Sequence, residues 1–252
     1  MTLPKISVTI ITHNEEENIE NCLKSVKWAD EIVVIDSFSA DKTLAICKKY
    51  KARIIKYKWL GYSKQKNLAI DNARNEWILS LDADERITKE LLDEIKKEFE
   101  RGDAADGYYI ARKNFFLGKW IKHCGWYPDY NLRLFKKTKG RFIEREVHER
   151  AEVNGAAKYL KHPMEHYTYK TLSDFISRLD RYSTLSAMEL HKKGKRAGWS
   201  HLTIRPLSTF LKMYFFKNGF LEGFYGILLS GLYAFYTFSK YAKLWEMQKK
   251  RR

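Results

Sequence analysis

Short apolar runs alternate with mixed polar and apolar segments along the first third of the chain. The runs are rich in β-branched residues, which is typical of buried strands, and they lie at 6–11, 31–35, 53–57 and 77–81. Helices are predicted between them, one following Asn14 and Glu17 (a capping-box pattern) to about Trp28, one from Ser39 to Tyr50, and one capped by Ser63. Strand–helix alternation with short connections predicts an α/β fold with a mostly parallel sheet and helices on both faces.

The pattern changes after residue 85. Thr88 is placed to cap a helix over 89–100, and strands are predicted at 107–112 and 131–136 with an aromatic loop between them. Residues 137–169 show no clear period. From about residue 171 apolar side chains recur at three- and four-residue spacing, which predicts a helical C-terminal extension. We therefore expect one domain over 1–170 and a helical region over 171–252.

Polar residues follow three of the predicted strands at the point where each strand ends. They are 12–15 (THNE), Asp36 and 82–84 (DAD). Ligands of parallel α/β sheets bind outside the carboxyl ends of the strands, so the three clusters predict a site on one rim. Alternate strand residues share a face, so Asp82 and Asp84 could both point at one Mg²⁺ or Mn²⁺ ion. The alternative is a turn followed by a helix cap.

The charge of the chain limits the classes of partner that it is expected to bind. Net charge is +16, and residues 205–252 hold nine Lys or Arg against two Glu while being rich in Phe and Tyr. This mixture favours an anionic membrane surface over a nucleic-acid partner. Residues 218–239 carry one charge, Glu222, and we expect them to lie in the membrane interface; a true span and a core or oligomer contact are the alternatives. Three scattered cysteines predict a reducing compartment.

Four segments resemble the nucleotide-sugar half of family-two glycosyltransferases of the GT-A fold: 6–18 (ISVTIITHNEEEN), 32–43 (IVVIDSFSADKT), 64–67 (KQKN) and 78–85 (ILSLDADE). Three later segments resemble the subgroup that includes lipopolysaccharide-core β-1,4-glucosyltransferases: 127–129 (YPD), 133–135 (RLF) and 147–149 (VHE). The resemblance implies a donor half over 1–85 and an acceptor half over 86–170.

The resemblance also implies an inverting, metal-dependent transfer of a hexose from a nucleotide sugar, with UDP-glucose as the expected donor. The base and ribose would meet Asp36, with Thr12, Asn14 and Glu15 completing the pocket, although Asn14 as a helix cap is the alternative. Lys66 would lie near the nucleotide or on a solvated helix face. Asp82 would contact ribose or metal-bound water, and Asp84 would bind Mn²⁺ or Mg²⁺ directly. His166 would join the metal or diphosphate, with His162 as its competitor.

Inversion by direct displacement needs a base for the acceptor hydroxyl. Glu149 is the expected catalytic base; Glu144, Glu146 and His148 are its rivals. Four residues are expected to bind the acceptor: Trp126, Tyr127, Asp129 and Arg133. The alternatives are an aromatic loop core for the aromatic residues and a loop-stabilising role for Arg133.

The expected acceptor is a membrane glycolipid such as the lipopolysaccharide core, which would place the enzyme in the cytoplasm on the inner face of the cell membrane. Another envelope polysaccharide or lipid-linked acceptor is the alternative. A nucleotidyltransferase would carry a Gly-rich basic loop after its first strand, whereas here that loop is acidic. A non-catalytic basic module that binds nucleic acid or membrane is the remaining rival.

Overall fold

The computed structural model describes residues 4–143 and 150–249, and the chain divides into two units. Unit 1 comprises Met1–Lys113 and Asp129–Tyr167. Unit 2 comprises Asn114–Pro128 and Thr168–Arg252, so the aromatic loop between two strands belongs with the C-terminal helices. The predicted boundary at residue 170 stays a prediction.

The first half of unit 1 alternates strands and helices as the sequence predicts. The elements are β1 (Ile6–Thr12), α1 (Ile19–Ser25), β2 (Glu31–Asp36), α2 (Thr43–Lys49), β3 (Arg53–Lys56), α3 (Tyr62–Asn72), β4 (Trp77–Asp82), β5 (Glu85–Arg86) and α4 (Lys89–Glu100). Strands β1 to β4 are parallel, in the order β3-β2-β1-β4.

Among the described residues the later strands are mainly antiparallel to their neighbours, and all but one separate pair extend this sheet. They are β6 (Gly107–Phe116), β7 (Lys119–Trp120), β8 (Tyr130–Lys136), β9 (Gly140–Ile143), β10 (Arg150–Val153), β11 (Ala157–Tyr159) and β12 (Met164–Tyr169). Strand β8 pairs antiparallel with both β4 and β6, and β9 and β10 form a separate hairpin. Residues 137–169 showed no period because their strands are only three to six residues long.

Helices cover both faces of the parallel strands, as expected. Trp77, Leu79 and Leu81 of β4 pack in a core with α1 and α4, whereas Ile78 faces the opposite way and packs with Ile70 of α3. Alternation of side chains along a strand explains this division. The predicted α/β fold class is therefore confirmed, including the helical C-terminal extension.

Two predicted helix caps are wrong. Asn14 has a left-handed backbone (φ 54°), and helix α1 begins only at Ile19. The Asn14 side chain accepts a hydrogen bond from the Ala40 backbone at 2.9 Å, so it joins two loops instead of capping a helix. Ser63 lies inside α3, and its hydroxyl donates to the Ile143 carbonyl at 3.0 Å. Thr88 does cap α4, as predicted.

Unit 2 is built from helices packed on the aromatic loop. Its helices are α5 (Leu172–Lys192), α6 (Trp199–Leu202), α7 (Ile204–Leu211) and α8 (Phe224–Lys249), with a π-helical turn at Lys212–Phe216 and a 3₁₀ turn at Gly219–Glu222. Phe175 of α5 and Leu229 of α8 share a core with Phe116. Across the described ranges, no helix combines the length and the apolar character needed to cross a membrane.

Glu222 is buried in unit 2 and is held by the loop that carries Lys119 and His123. Its carboxylate contacts the Lys119 ammonium at 3.0 Å and the His123 ring nitrogen at 2.8 Å, and it accepts from the backbone N–H groups of Lys122 and His123. Burial alone would raise the pKa of Glu222, but these hydrogen bonds outweigh it and lower the pKa to about 2. The ionised form is therefore the one that the fold stabilises.

Replacing Thr88 by Ala should lower the free energy of unfolding by about 1 kcal/mol, because its hydroxyl accepts from the Leu91 N–H at the start of α4. Urea denaturation followed by circular dichroism measures the change. Thr88→Ser keeps the hydroxyl and is the matched control. An equal loss in both variants would contradict the capping role.

Replacing Glu222 by Gln should destabilise the protein by about 2–3 kcal/mol at neutral pH, because the pKa of Glu222 is depressed in the folded state. The stabilisation is complete above the unfolded pKa near 4.5 and is lost as the pH falls toward about 2. The difference between the wild type and the variant in urea denaturation should therefore shrink below about pH 5. Glu246→Gln, on an exposed stretch of α8, is the control.

Candidate active site

The register of the parallel strands brings the polar strand ends onto one rim of unit 1. Thr12 lies opposite Asp36 across the β1–β2 pair, and Ile11 lies opposite Asp82 across the β1–β4 pair. The three clusters expected from the sequence therefore meet where parallel α/β sheets bind ligands.

Asp36 organises the first part of the rim. It is fully buried and accepts hydrogen bonds from the Thr12 hydroxyl at 3.0 Å and from the Ser39 backbone at 2.9 Å, with the Ser39 hydroxyl as a further donor. A carboxylate has about four acceptor positions, so capacity for one more donor remains. Asp36 therefore fixes this corner of the rim.

Asn14 and Glu15 lie on the loop beside Asp36 and tie it to the next loop. The Asn14 N–H donates to the Ser39 hydroxyl at 2.9 Å, and the Glu15 N–H donates to the Thr43 hydroxyl at 2.8 Å. The Glu15 carboxylate accepts from the Asn18 side chain at 2.8 Å. The structure therefore brings both predicted residues to the rim, where their backbones set its shape.

Asp82, the last residue of β4, lies between two cations. Its Oδ1 contacts the Lys66 ammonium at 2.7 Å, and its Oδ2 accepts from the Arg133 guanidinium at 2.9 Å. Burial would raise the pKa of Asp82, but the charges of Lys66 and Arg133 outweigh it and hold the pKa well below 3.8. Asp82 is therefore ionised at neutral pH.

Lys66 is not on a solvated helix face. It is 2% exposed, and besides Asp82 its ammonium lies 5.1 Å from the ring centroid of Phe142. The position beside the rim is as expected, and among the described residues the ammonium contacts the Asp82 carboxylate. Lys66 therefore acts on the site through that carboxylate.

Arg133 is the centre of a longer run of alternating charges. It also donates to Glu85, which is fully buried, and Arg112 lies 3.6 Å from the same Glu85 carboxylate. Arg112 in turn contacts Asp129 at 2.6 Å. We call this series the ion chain; in order its members are Lys66, Asp82, Arg133, Glu85, Arg112 and Asp129.

Two residues of the ion chain were missed by the sequence analysis. Glu85 directly follows the Asp-Ala-Asp segment, which is the only local signal that could have drawn attention to it. Arg112 lies in β6 without any motif. From the sequence, Arg133 was expected either to bind an acceptor phosphate or to stabilise its own loop. Its guanidinium instead contacts Asp82 and Glu85, and the residue is only 4% exposed.

Asp84 and His166 form a second cluster. The two approach to 3.4 Å between Oδ2 and Nε2, because β12 pairs with β5 and places His166 opposite Glu85. His162, the competing candidate, contacts Glu94 instead. The structure thus brings together the two residues that were expected to bind a metal.

The expectation that Asp82 and Asp84 share one strand face is wrong. Strand β4 ends at Asp82, and a turn carries Asp84 toward His166. Within the part of the chain that the structure describes, no three His, Cys, Asp or Glu side chains converge as a metal site. One carboxylate and one imidazole still fit Mn²⁺ or Mg²⁺ when phosphate oxygens and water complete the coordination.

The expected acceptor residues divide between the two units. Asp129 lies in unit 1 in the ion chain, whereas Trp126 and Tyr127 lie in unit 2. Trp126 is 8% exposed and packs in the aromatic core with Phe175, which favours the loop-core alternative for this residue. Tyr127 packs its ring edge-on against Trp120 at 5.6 Å.

The expected catalytic base belongs to the segment between β9 and β10. Glu149 and its rivals Glu144, Glu146 and His148 all lie outside the described residues. Their assignment stays a prediction.

Comparison with known proteins identifies the family. The model of glycosyl transferase family 2 matches residues 7–158. The chain belongs to glycosyl transferase family 2. This family 2 segment contains Asp36 and the Asp82–Asp84 turn but ends before His166. The resemblance found in the sequence is therefore confirmed.

Two curated relatives of nearly full length support the assignment. The chain is 31% identical to the lipopolysaccharide core biosynthesis glycosyltransferase LpsC of Rhizobium meliloti, covering 94% of this chain and 93% of that protein. It is 33% identical to an uncharacterised glycosyltransferase of Rickettsia bellii, covering 96% and 87%. The structure of S. aureus TarS 1–349 with UDP-GlcNAc matches at 17% identity over 98% and 92%, with a TM-score of 0.47.

Replacing Arg133 by Met should destabilise unit 1 by about 3–5 kcal/mol, because Glu85 and Asp82 both lose their nearest shared cation. Urea denaturation measures the loss. Combining Arg133→Met with Glu85→Gln should recover part of the lost stability, since the buried carboxylate of Glu85, which has lost the Arg133 cation, is then replaced by a neutral amide.

Arg101→Met is the control, because the Arg101–Glu98 pair lies at the surface, where such pairs contribute about 0–1 kcal/mol. A similar small cost for Arg133→Met would show that the ion chain does not stabilise the rim.

Proposed function

We propose that this family 2 glycosyltransferase moves a hexose from a nucleotide sugar, UDP-glucose, onto a membrane glycolipid such as the lipopolysaccharide core, with inversion at the anomeric carbon. The observation that carries the proposal is the meeting of Asp36, Asp82 and the Asp84–His166 pair in one unit at the carboxyl ends of parallel strands. A nucleotide-sugar donor needs one group of residues that binds its base and ribose and another that binds the cation on its diphosphate.

The donor base and ribose are assigned to the Asp36 corner. Asp36 is held by Thr12 and Ser39 and keeps acceptor capacity for an N–H or hydroxyl of the nucleotide. Because the corner is fixed before the ligand arrives, little conformational entropy is lost on binding. Asn14 and Glu15 border this corner and complete the proposed pocket.

The diphosphate is assigned to the Asp84–His166 corner. A divalent cation bound there would neutralise the departing diphosphate as a Lewis acid. Asp84 and His166 are the residues of this chain that would hold it. Lys66 and Arg133 keep Asp82 ionised and oriented beside that corner, where its carboxylate can accept a hydrogen bond from ribose or from water.

The reaction is a single displacement. The acceptor hydroxyl oxygen forms a bond to the anomeric carbon while the bond from that carbon to the diphosphate oxygen breaks, and the nucleoside diphosphate leaves with the bonding electrons. The hydroxyl proton passes to a base, which we assign to Glu149. Tyr127 and Asp129 are the proposed acceptor contacts.

The acceptor class is supported by relatedness and by charge. LpsC, which is 31% identical to this chain over the 256 aligned residues, is named for lipopolysaccharide core biosynthesis. The basic, aromatic C-terminal region suits an enzyme whose acceptor lies in an anionic membrane, and the proposed location is the inner face of the cell membrane.

Asp84→Ala should abolish sugar transfer and the metal dependence of donor binding, because it removes the proposed carboxylate ligand. Isothermal titration of UDP-glucose, UDP-galactose, UDP-N-acetylglucosamine and GDP-mannose, each with and without Mn²⁺, measures the binding. Wild-type protein should bind one donor in a metal-dependent way.

Asp103→Ala, at an exposed carboxylate of unit 1, is the matched control and should leave donor binding unchanged. Undiminished metal-dependent binding in Asp84→Ala would refute the assignment of the Asp84–His166 corner. Failure of folded wild-type protein to bind any of the donors would refute the proposed donor class.

A further inference from the structure

Helix α7 of unit 2 is amphipathic, but its apolar side faces away from the helix on which it packs. Ile204, Leu207 and Leu211 recur at helical spacing and are 56%, 59% and 39% exposed. The polar side faces α8: the Thr209 hydroxyl lies 3.2 Å from the Thr237 hydroxyl. A helix on the surface of a protein in water normally turns its apolar side toward the core and its polar side toward the solvent.

The exposed apolar surface continues beyond α7 through the two turns that follow and into the first turn of α8. Phe216 is 84% exposed and Phe224 is 73% exposed, which is high for aromatic side chains. We define the apolar face as this set of exposed residues: Ile204, Leu207, Leu211, Phe215, Phe216, Phe220, Leu221, Phe224 and Ile227. A run of this many exposed apolar side chains in successive elements of the chain is typical of an interaction surface.

The charged side chains that this stretch exposes to solvent are all positive. Lys212 and Lys217 lie between the apolar residues and are exposed. Glu222, the single acid between residues 204 and 227, is 5% exposed and is bound to Lys119 and His123. The fold thus withdraws the negative charge of this segment and leaves the lysines at its surface.

We propose that the apolar face docks on an anionic lipid bilayer, with Phe216 and Phe224 inserted at headgroup depth and Lys212 and Lys217 on lipid phosphates. The combination of exposed aromatic residues with basic side chains is that of interfacial membrane anchors. The inference rests on the proposed membrane acceptor, but binding to lipid is measured without any sugar transfer.

Charge complementarity selects lipid over a second copy of the chain. A two-fold dimer through the apolar face would bring the same lysines of both copies to one interface, where like charges repel. An anionic bilayer instead supplies phosphates to Lys212 and Lys217 while it takes up the apolar side chains.

Co-sedimentation of the full chain with vesicles tests the proposal. The probes are vesicles of phosphatidylcholine mixed with phosphatidylglycerol, and vesicles of phosphatidylcholine alone. The wild type should bind the mixed vesicles more tightly, and added salt should reduce the difference. Phe216→Ser with Phe224→Ser should weaken binding roughly tenfold or more for each aromatic side chain removed from the bilayer.

Ile176→Ser with Met188→Ser is the matched control, because these α5 residues are exposed to a similar degree as much of the apolar face but lie outside it. This control should bind like the wild type, and circular dichroism should show that both double variants are folded. Donor binding by calorimetry should be unchanged in both, which separates this proposal from the proposed function.

Two results would overturn the proposal. One is equal vesicle binding by the wild type and the Phe216/Phe224 variant. The other is a wild-type dimer in light scattering that the same variant converts to a monomer, with no vesicle binding by either protein, since a second copy would then be the occupant of the apolar face.

Discussion

The turn that carries Asp84 depends on the ion chain. Asp82 and Glu85 stand on either side of the turn, and Arg133 contacts both of them. The Glu85 carboxylate also accepts from the Asp82 N–H at 2.9 Å, which closes the turn from within. Burying these charges costs desolvation energy that only their mutual pairing offsets, so each member constrains the positions of its neighbours. The rim is therefore preorganised by electrostatics as well as by the sheet.

The carboxylates of the rim have different roles because their surroundings differ. Asp36 and Asp82 are engaged by donors from other elements and give the site its shape and a fixed negative charge. Asp84 sits beyond the strand end with His166, which is the arrangement that suits a cation and the phosphates of a donor. Three aspartates that look alike in the sequence thus acquire different chemistry from burial and partners.

In unit 2, too, burial and hydrogen-bond partners decide the state of an acidic side chain. Glu222 is the one charged residue of the segment 218–239, yet the fold places it inside, ionised and bonded to the aromatic loop. Its burial fixes the loop that contains Lys119 and His123 and leaves the segment, which Lys217 and Lys240 flank, without an acidic side chain at its surface. A sequence average over the segment counts Glu222 as polar surface, whereas the tertiary structure removes it from the surface.

The sequence by itself determined the α/β alternation, the four parallel strands, the Thr88 cap and the rim on which Thr12, Asp36 and Asp82 meet, because strand periodicity, capping and strand-end position are local properties. Through the resemblance to family 2 enzymes it also predicted His166, with His162 as a competitor, at the metal or diphosphate; the structure places His166 beside Asp84. Only the tertiary structure decided that Lys66 and Arg133 are buried on Asp82, that Asn14 joins two loops, and that α7 turns its apolar side outward. Those outcomes depend on partners that are distant in sequence, such as Arg133 for Asp82, and no local pattern encodes which distant charge or surface a side chain will meet.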